Sequence, residues 1–335
     1  MRAQVDWLDL IERLSIPWAD RHGLSLRWFD RWESVLDDAL AHLPQSEQCP
    51  HELLRQLMNN PTQAAKRTAL ITEQDRPVAV LGLRRRKMFW EPVWGGGVCE
   101  RFQMAALPGY LLPALARTAS NIWVFSRDRP ASSESLRSLK ALPRFGIALT
   151  DGYEQHWKTS SHWNTVKSAR RRTVGFGFDI DPPGAAEWTI TNWARKWSAH
   201  EAESDILVAA RYYQSVGRYH SFVLRDGGAR VAGATYIVIG SELLAQWNFF
   251  DNAYRRNGVQ TRLDELVFAW ASEAGLSTMD LGASYEDDSY KRHWAPNVGQ
   301  SWLYNIAPLH LHVVRTGLKT VRRAIGRVSV SPRSA

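Results

Sequence analysis

Cysteine and long apolar runs are scarce in this sequence. Only Cys49 and Cys99 occur among its 335 residues. Two cysteines are too few for a disulfide framework or a cysteine-rich zinc site, so a reducing cytoplasm is the expected location. Uncharged stretches are short or broken; residues 102–116, for example, contain two prolines and a glycine. A membrane-spanning helix needs roughly 18 apolar residues, so the sequence predicts a soluble protein.

An export signal and several catalytic motifs are also missing. Asp6, Asp9 and Glu12 stand where a signal peptide needs an apolar segment. The sequence has no Walker motif, no GxSxG elbow, no HExxH motif and no Cys and His spacing for zinc. We therefore expect no export, no nucleophile-elbow hydrolase and no metal.

Positive charge is in excess, but it is concentrated at the carboxyl terminus. The net charge is +8, from 42 Lys and Arg against 34 Asp and Glu. Residues 310–335 contain six basic residues and no acidic one, so the rest of the chain is nearly neutral. This distribution indicates a basic appendage rather than a nucleic-acid-binding body.

Two similar hairpins indicate an α/β protein with an internal repeat. Residues 67–73 and 77–83 flank a Gln-Asp-Arg turn, and residues 220–225 and 229–239 flank Asp-Gly-Gly, with a further strand over 243–250. A shift of 153 residues places Ile71 on Leu224 and Ala79 on Ala232. The shift suggests two copies of one unit; the alternative is that any α/β protein contains several hairpins.

Apolar residues at helical spacing predict two amphipathic helices, formed by Trp28, Trp32, Val35, Leu36 and Leu40 and by Leu263, Leu266, Val267 and Trp270. A longer helix is expected from about 154 to 173. We place a domain boundary near residues 150–153, which gives domains over 1–150 and 151–306 and a basic helical tail over 307–335.

The most informative segment is the basic turn Arg255-Arg256-Asn257-Gly258-Val259-Gln260. It follows a strand and precedes an amphipathic helix expected to start near Thr261. Free backbone N–H groups and the positive end of the helix dipole attract anions, and Gly258 permits close approach of an anion to the backbone. A phosphate or diphosphate site is therefore predicted here; a structural Arg-rich turn is the alternative.

This turn resembles the CoA-binding signature of the GNAT acyltransferase superfamily, which is Gln or Arg, two residues, Gly, one residue, then Gly or Ala. Arg255 and Gly258 match, whereas Gln260 stands where Gly or Ala is usual. The order of segments over about 150–305 is similar to that of the FemAB-like and exopolysaccharide-associated acetyltransferases, which have two GNAT-like halves. The resemblance implies tandem GNAT-like domains with mixed, mostly antiparallel sheets flanked by helices.

The resemblance also implies positions for the acyl donor and the catalytic groups. A splayed strand after the hairpin supplies backbone N–H groups in GNAT proteins, so Trp247 and Asn248 become candidates for contacts to the carbonyl and pantetheine of the donor. Tyr290 would protonate the leaving thiolate, as GNAT tyrosines often do, and His293 has an intrinsic pKa suited to acid-base catalysis. For each of the two, a surface or packing role is the alternative.

Charged residues near Tyr290 are further candidates. Lys291 completes a Tyr-Lys pair before an aromatic residue, as in this branch, and would contact a donor phosphate or an anionic acceptor. Glu286 and Asp287 belong to an acidic run that would steer a cationic acceptor, or that forms a solvated helix start. The basic runs 84–87 and 170–172 are either phosphate contacts or solvated faces.

These observations predict an acyltransferase that moves an acyl group from acyl-CoA, as co-substrate, to an amine or hydroxyl of a small-molecule or envelope-related acceptor. A FemAB-like aminoacyl transferase using aminoacyl-tRNA is the rival enzyme, with the basic runs on the RNA backbone. The third alternative is a non-catalytic module whose tail binds membrane or nucleic acid. The tail places Val314, Leu318, Val321 and Ile325 on one helix face, so it either docks on the protein or contacts the inner membrane face.

Overall fold

The structure is a computed structural model, and it describes residues 23–45, 50–86, 89–93, 104–118, 120–127, 129–130, 136–150, 152–159, 162–284 and 290–307. Its strands are β1 (Leu24–Phe29), β2 (Lys66–Glu73), β3 (Arg76–Arg86), β4 (Phe89–Pro92), β5 (Met104–Ala106), β6 (Ile122–Ser126), β7 (Leu136–Ala148), β8 (Gly177–Ile180), β9 (Tyr219–Asp226), β10 (Ala229–Ile239), β11 (Glu242–Phe250), β12 (Thr278–Ala283) and β13 (Asn297–Ile306).

The described helices are α1 (Ser34–Ala41), α2 (His51–Asn59), α3 (Leu111–Arg117), α4 (Gln155–Lys158), α5 (His162–Arg172), α6 (Ala185–Trp197), α7 (His200–Ser215), α8 (Val259–Glu273) and α9 (Lys291–Trp294), with a 3₁₀ helix over Asn252–Asn257. None of them is long and apolar enough to cross a membrane. The tail, Glu286, Asp287 and both cysteines lie outside the described residues.

The thirteen strands of the described residues belong to one mixed, mostly antiparallel sheet in the order β1-β2-β3-β4-β6-β13-β7-β12-β11-β10-β9-β8, with β5 beside β3. Helices flank this sheet, so the predicted fold class is confirmed. The two predicted hairpins form as β2-β3 and β9-β10. Gln74 and Asp75 take positive φ in the first turn, which matches the twist of a tight hairpin.

The internal repeat is visible in the strand boundaries. Adding 153 to the bounds of β2 and β3 gives the bounds of β9 and β10. The register agrees as well, because Ile71 pairs with Ala79 and Leu224 pairs with Ala232. Each half therefore contains a four-stranded antiparallel meander followed by a parallel pair, β4 with β6 and β11 with β12.

The halves exchange their last strands. β7, from the first half of the chain, pairs with β12, while β13, from the end of the described chain, pairs with β6. β7 and β13 then pair with each other through the centre of the sheet. The hydrogen bonding is thus continuous across the middle of the chain, and the limits 1–150 and 151–306 remain a prediction about sequence segments.

Two expectations about helices are corrected. Trp28 lies in β1, opposite Ala69 of β2, and α1 begins only at Ser34; strand pairing decides the conformation where the apolar spacing suggested a helix. The expected helix over 154–173 is two helices, α4 and α5.

Apolar residues from both halves form a common core on one side of the sheet. Side chains of α1 and α2 pack there with side chains of α6 and α7 and with Trp247. A second core lies under α5 and α8 and includes Trp157, Phe268 and Trp294. These two cores hold β10 and β11 between helices, and β11 forms one wall of the site described next.

Candidate functional site

β11 and β12 separate after a short parallel contact. They pair only where Glu242–Leu244 faces Thr278–Asp280. Beyond Leu244, β11 continues to Phe250 alongside β10, whereas β12 stays alongside β7. A V-shaped opening therefore lies between Ala245–Phe250 and Leu281–Ala283.

Two adjacent residues connect the two sides of this opening. The ammonium group of Lys291 donates to the carbonyl oxygen of Ala283, at the end of β12, over 2.7 Å. The side-chain amide of Asn248, on β11, donates to the phenolic oxygen of Tyr290 over 3.1 Å. Lys291 is buried, and its bond to Ala283 holds the start of α9, and with it Tyr290, at the end of β12.

The environment of Tyr290 keeps its phenol protonated. Half of the side-chain surface is exposed, but burial around the hydroxyl, aided by the charge of Asp264, raises its pKa to about 12. The hydrogen bond from Asn248 acts in the opposite direction. A protonated phenol beside an open strand edge can donate a proton or a hydrogen bond to a reacting group.

Asp264, in the second turn of α8, is a buried carboxyl close to this site. Its Oδ1 accepts a hydrogen bond of 2.7 Å from Nε2 of Gln260. Its Oδ2 and Oε1 of Gln260 are buried and have no partner among the described residues. Burial raises the pKa of Asp264 to about 7, against the opposing effects of the hydrogen bond from Gln260 and of the neighbouring Trp294 side chain. The carboxyl therefore titrates near neutral pH.

The basic turn has the predicted position between a strand and a helix. Oδ1 of Asp251 accepts from the backbone N–H of Ala253 over 2.9 Å and starts the 3₁₀ helix. Arg255 and Arg256 are exposed in its last turn. α8 begins at Val259, two residues before the expected start. Exposed guanidinium groups thus lie beside the positive end of a fifteen-residue helix, an arrangement that suits an anion.

Gly258 has a structural role that the sequence did not reveal. Its φ of +73° ends the 3₁₀ helix, and a Cβ built on it would lie 3.0 Å from Cβ of Ala169 on α5. The residue is small because α5 and α8 pack closely at this point. The packing of the two helices is by itself enough to explain a glycine at this position, and an anion site is not required for it.

Side chains of the two basic runs bind within the protein. Arg170 forms an ion pair with the buried Glu265 of α8. Arg172 donates to the carbonyl oxygen of Arg256 over 2.5 Å. In the first half, Nε of the buried Arg84 donates to Glu91 over 2.8 Å. Arg84 is thus buried in an ion pair, whereas Arg170 and Arg172 remain exposed to solvent while they contact α8 and the basic turn.

Trp247 and His293 lie in different surroundings from Tyr290. The Trp247 indole is buried, with its ring centre 4.1 Å from that of Trp193, and its backbone N–H donates to Oγ1 of Thr235. His293 is exposed on α9 and stacks on His162 at 5.1 Å. Burial and His293 together lower the pKa of His162 to about 4.

Of the remaining candidates, Asn248 lies at the opening, and Asn257 and Val259 lie at the junction of the 3₁₀ helix with α8. The sequence analysis missed Asp264. The local signal for it is weak: Asp264 follows Gln260 by four residues, on the face of α8 that carries Leu263 and Val267.

Among the described residues, no group of three or more His, Cys, Asp or Glu side chains could hold a metal ion.

Residues 160–292 match the family model of the GNAT acetyltransferase domain. This segment contains α5, the β9-β10 hairpin, the splayed strands, the basic turn and Tyr290. The second half of the chain therefore contains a GNAT domain, as the resemblance of its sequence predicted. No curated protein matches the chain.

Solved structures share the fold along most of the chain. A conserved protein of unknown function from Bacteroides thetaiotaomicron superposes with a TM-score of 0.51 at 8% identity, covering 84% of this chain and all of that one. L-PGS from Bacillus licheniformis superposes with a TM-score of 0.50 at 12% identity, covering 89% and 98%. A tandem GNAT protein from the clavulanic acid biosynthesis pathway gives 0.49 at 12% identity, covering 85% and 98%.

Proposed function

We propose that this protein is an acyltransferase that moves an acyl group from acyl-CoA to an amine or a hydroxyl. The observation that carries the proposal is the opening between β11 and β12, with the Tyr290 hydroxyl held across it by Asn248. The match to a GNAT domain supports acyl transfer as the reaction class. The identity of the donor and the class of the acceptor are inferred from the side chains at the opening and at the basic turn.

The donor would lie along β11 and reach the basic turn. Alternate amides of a strand point to opposite sides. The N–H of Asp251 donates to the carbonyl oxygen of Val231 on β10, and Asn248 lies three residues earlier, so the N–H of Asn248 would point into the opening, where it can bind the acyl carbonyl. Arg255, Arg256 and the first amides of α8 would bind the diphosphate.

Tyr290 would complete the transfer. The acceptor nitrogen or oxygen attacks the acyl carbon, the carbon–sulfur bond breaks, and the thiolate takes the phenolic proton of Tyr290. The proton that the acceptor loses on forming the amide or ester then restores the phenol. With a pKa of about 12, the phenol is protonated before the step at any neutral pH. The backbone amide of Asn248 stabilises the oxyanion as it forms.

An aminoacyl-tRNA donor is the second candidate, and Gln260 is the observation that favours it. Gln260 occupies the place of the small residue in the CoA signature, and it bonds to the carboxyl of Asp264. The Gln260 side chain would narrow a diphosphate site at this turn. The carboxylate of Asp264 would repel the negative charge of the diphosphate. A donor without a diphosphate at this turn would avoid both effects.

Calorimetry with acetyl-CoA, longer acyl-CoAs and tRNA would separate these donors. We expect saturable binding of an acyl-CoA that becomes weaker when Arg255 and Arg256 are both replaced by Gln. Tight tRNA binding with no acyl-CoA binding would establish the aminoacyl-tRNA donor instead. Binding of neither donor would favour the non-catalytic alternative.

The basic tail bears on where the enzyme would act and on what it would bind. A cytoplasmic enzyme held at the inner membrane face by its basic tail would meet an envelope-related acceptor there. The acyl donor, the acceptor and anionic lipid are its proposed partners.

A further inference from the structure

An ion cluster lies where β11 and β12 part. Oδ2 of Asp280 accepts hydrogen bonds from Nε and Nη2 of Arg144, at 3.1 and 3.0 Å, and it also pairs with Arg127. Glu242 pairs with Arg127, with two contacts of 3.2 Å, and with Arg144 at 3.4 Å. Two guanidinium groups thus hold two carboxylates, one from β11 and one from β12.

The two carboxylates mark the limits of the parallel contact. Glu242 and Asp280 are the first residue of β11 and the last residue of β12 in the paired segment. Oδ1 of Asp280 also accepts from the backbone N–H of Gly282 over 2.7 Å, where the pairing of β12 with β7 shifts register. Asp280 therefore fixes the local backbone at the point where the strands diverge.

Both arginines come from the first half of the chain. Arg127 directly follows β6, and Arg144 lies on the exchanged strand β7. The carboxylates belong to the second half, which contains the GNAT match and Tyr290. The exchange of strands is what brings these groups together.

We propose that Arg127 and Arg144 are positioning residues that set the opening between β11 and β12, so that the first half builds part of the acyl-transfer site of the second. The expected effect on catalysis rests on the proposed function, whereas the expected effect on the positions of β11 and β12 does not depend on the donor. β12 leads to Ala283, which anchors Lys291 and hence Tyr290. A change in how β12 leaves β11 would therefore move the Tyr290 hydroxyl relative to Asn248.

The ion cluster is suited to this task because it is mostly removed from water. The Asp280 side chain is only 6% exposed, and a buried carboxylate tolerates little displacement from its cationic partners. Loss of its charge leaves two guanidinium groups with one carboxylate between them. The strands can then relax, and a displacement of about 1 Å at reacting groups can lower a rate by about 100-fold.

Asp205 provides a matched control. It is a buried carboxylate of the second half, on α7, and it pairs with two cations of the first half, Lys66 at 2.6 Å and Arg84 at 3.8 Å. It therefore joins the same two halves by the same chemistry. Its helix is not part of the β11-β12 opening.

The test compares Asp280→Asn with Asp205→Asn in the full chain by hydrogen–deuterium exchange and by kinetics. We expect Asp280→Asn to speed amide exchange selectively in Ala245–Phe250 and Leu281–Ala283, and to lower kcat by about tenfold or more. Asp205→Asn should change exchange in α7 and in β2-β3 and leave kcat within about twofold. Arg144→Lys, which keeps the charge but loses the planar fork, should give an intermediate effect.

Equal exchange at the opening in both Asn variants would overturn the proposal. If Asp280→Asn does not fold, the comparison is made with Arg144→Lys, and unchanged exchange there would also overturn it. Absence of acyl transfer in the unmodified protein would refute the proposed function alone, because the exchange comparison does not require turnover.

Discussion

The side-chain amide of Asn248 donates a hydrogen bond of 3.1 Å to the phenolic oxygen of Tyr290. This bond joins one side of the β11-β12 opening to the helix that follows the other side. Since the phenol accepts from Asn248, its own proton remains to be donated, and no acceptor for it occurs among the described residues.

Replacing Tyr290 with Phe should lower kcat by about 100-fold, because general acid catalysis contributes at least this much. The KM for the donor should change little, since the hydroxyl acts on the leaving group. Tyr153→Phe is the matched control: the Tyr153 pKa is likewise raised to about 12 by burial, but its ring packs on Trp157 and Phe268. Equal kcat values for the two variants would contradict the role of Tyr290.

Asp264→Asn should remove a pH dependence of stability. The pKa of Asp264 rises from 3.8 to about 7 on folding, so between these values the folded state holds a proton that the unfolded state has lost. The free energy of unfolding therefore falls as pH rises from about 4 to 7, by at most roughly 4 kcal/mol. Urea unfolding at pH 5 and pH 8 checks this. The Asn variant should show a smaller decrease than the unmodified protein, and identical decreases would refute the assignment.

Gly258→Ala should destabilise the protein through two separate effects. A positive φ costs an alanine about 1 kcal/mol, and the contact with Ala169 adds overpacking of about 1 kcal/mol or more. Gly275→Ala isolates the first effect, since Gly275 has a φ of +74° and a Cβ added there would meet nothing within 4 Å. In thermal unfolding, Gly258→Ala should be the more destabilising, and adding Ala169→Gly should recover part of the loss. Equal melting temperatures for the two single variants would show that the helix contact is unimportant.

Replacing Arg255 and Arg256 with Gln should weaken acyl-CoA binding by about tenfold or more, because hydrogen bonds to charged groups contribute about 1.5 to 3 kcal/mol. Both side chains are exposed, so the fold should be unaffected. Arg195→Gln, an exposed substitution on α6, serves as control. Unchanged donor affinity in the double variant would place the diphosphate elsewhere.

The basic tail is expected to bind anionic membranes. Each basic residue near such a surface contributes roughly 1 kcal/mol, so the five from Arg315 to Arg327 could hold the protein reversibly. Flotation with anionic and neutral liposomes should show binding of the full chain to anionic vesicles, with release by salt, and weaker binding of a chain ending at Pro308. Equal flotation of both chains would remove the membrane proposal, and an insoluble shortened chain would favour a tail that docks on the protein.

The sequence alone determined the hairpins, their repeat and the place of the basic turn. Alternating apolar residues around turn formers are local patterns, and the shift of 153 residues follows from comparing two of them. Tyr290 and Asn248 were found through resemblance, and the structure brings these two side chains together.

Only the tertiary structure decided how the halves are joined. The strand exchange brings Arg144 to Asp280 across 136 residues, and Gly258 meets Ala169 through the packing of α5 on α8. No local periodicity records contacts between distant residues. Propensity also failed at Trp28, where the hydrogen bonds of β2 outweigh a helical spacing of apolar side chains.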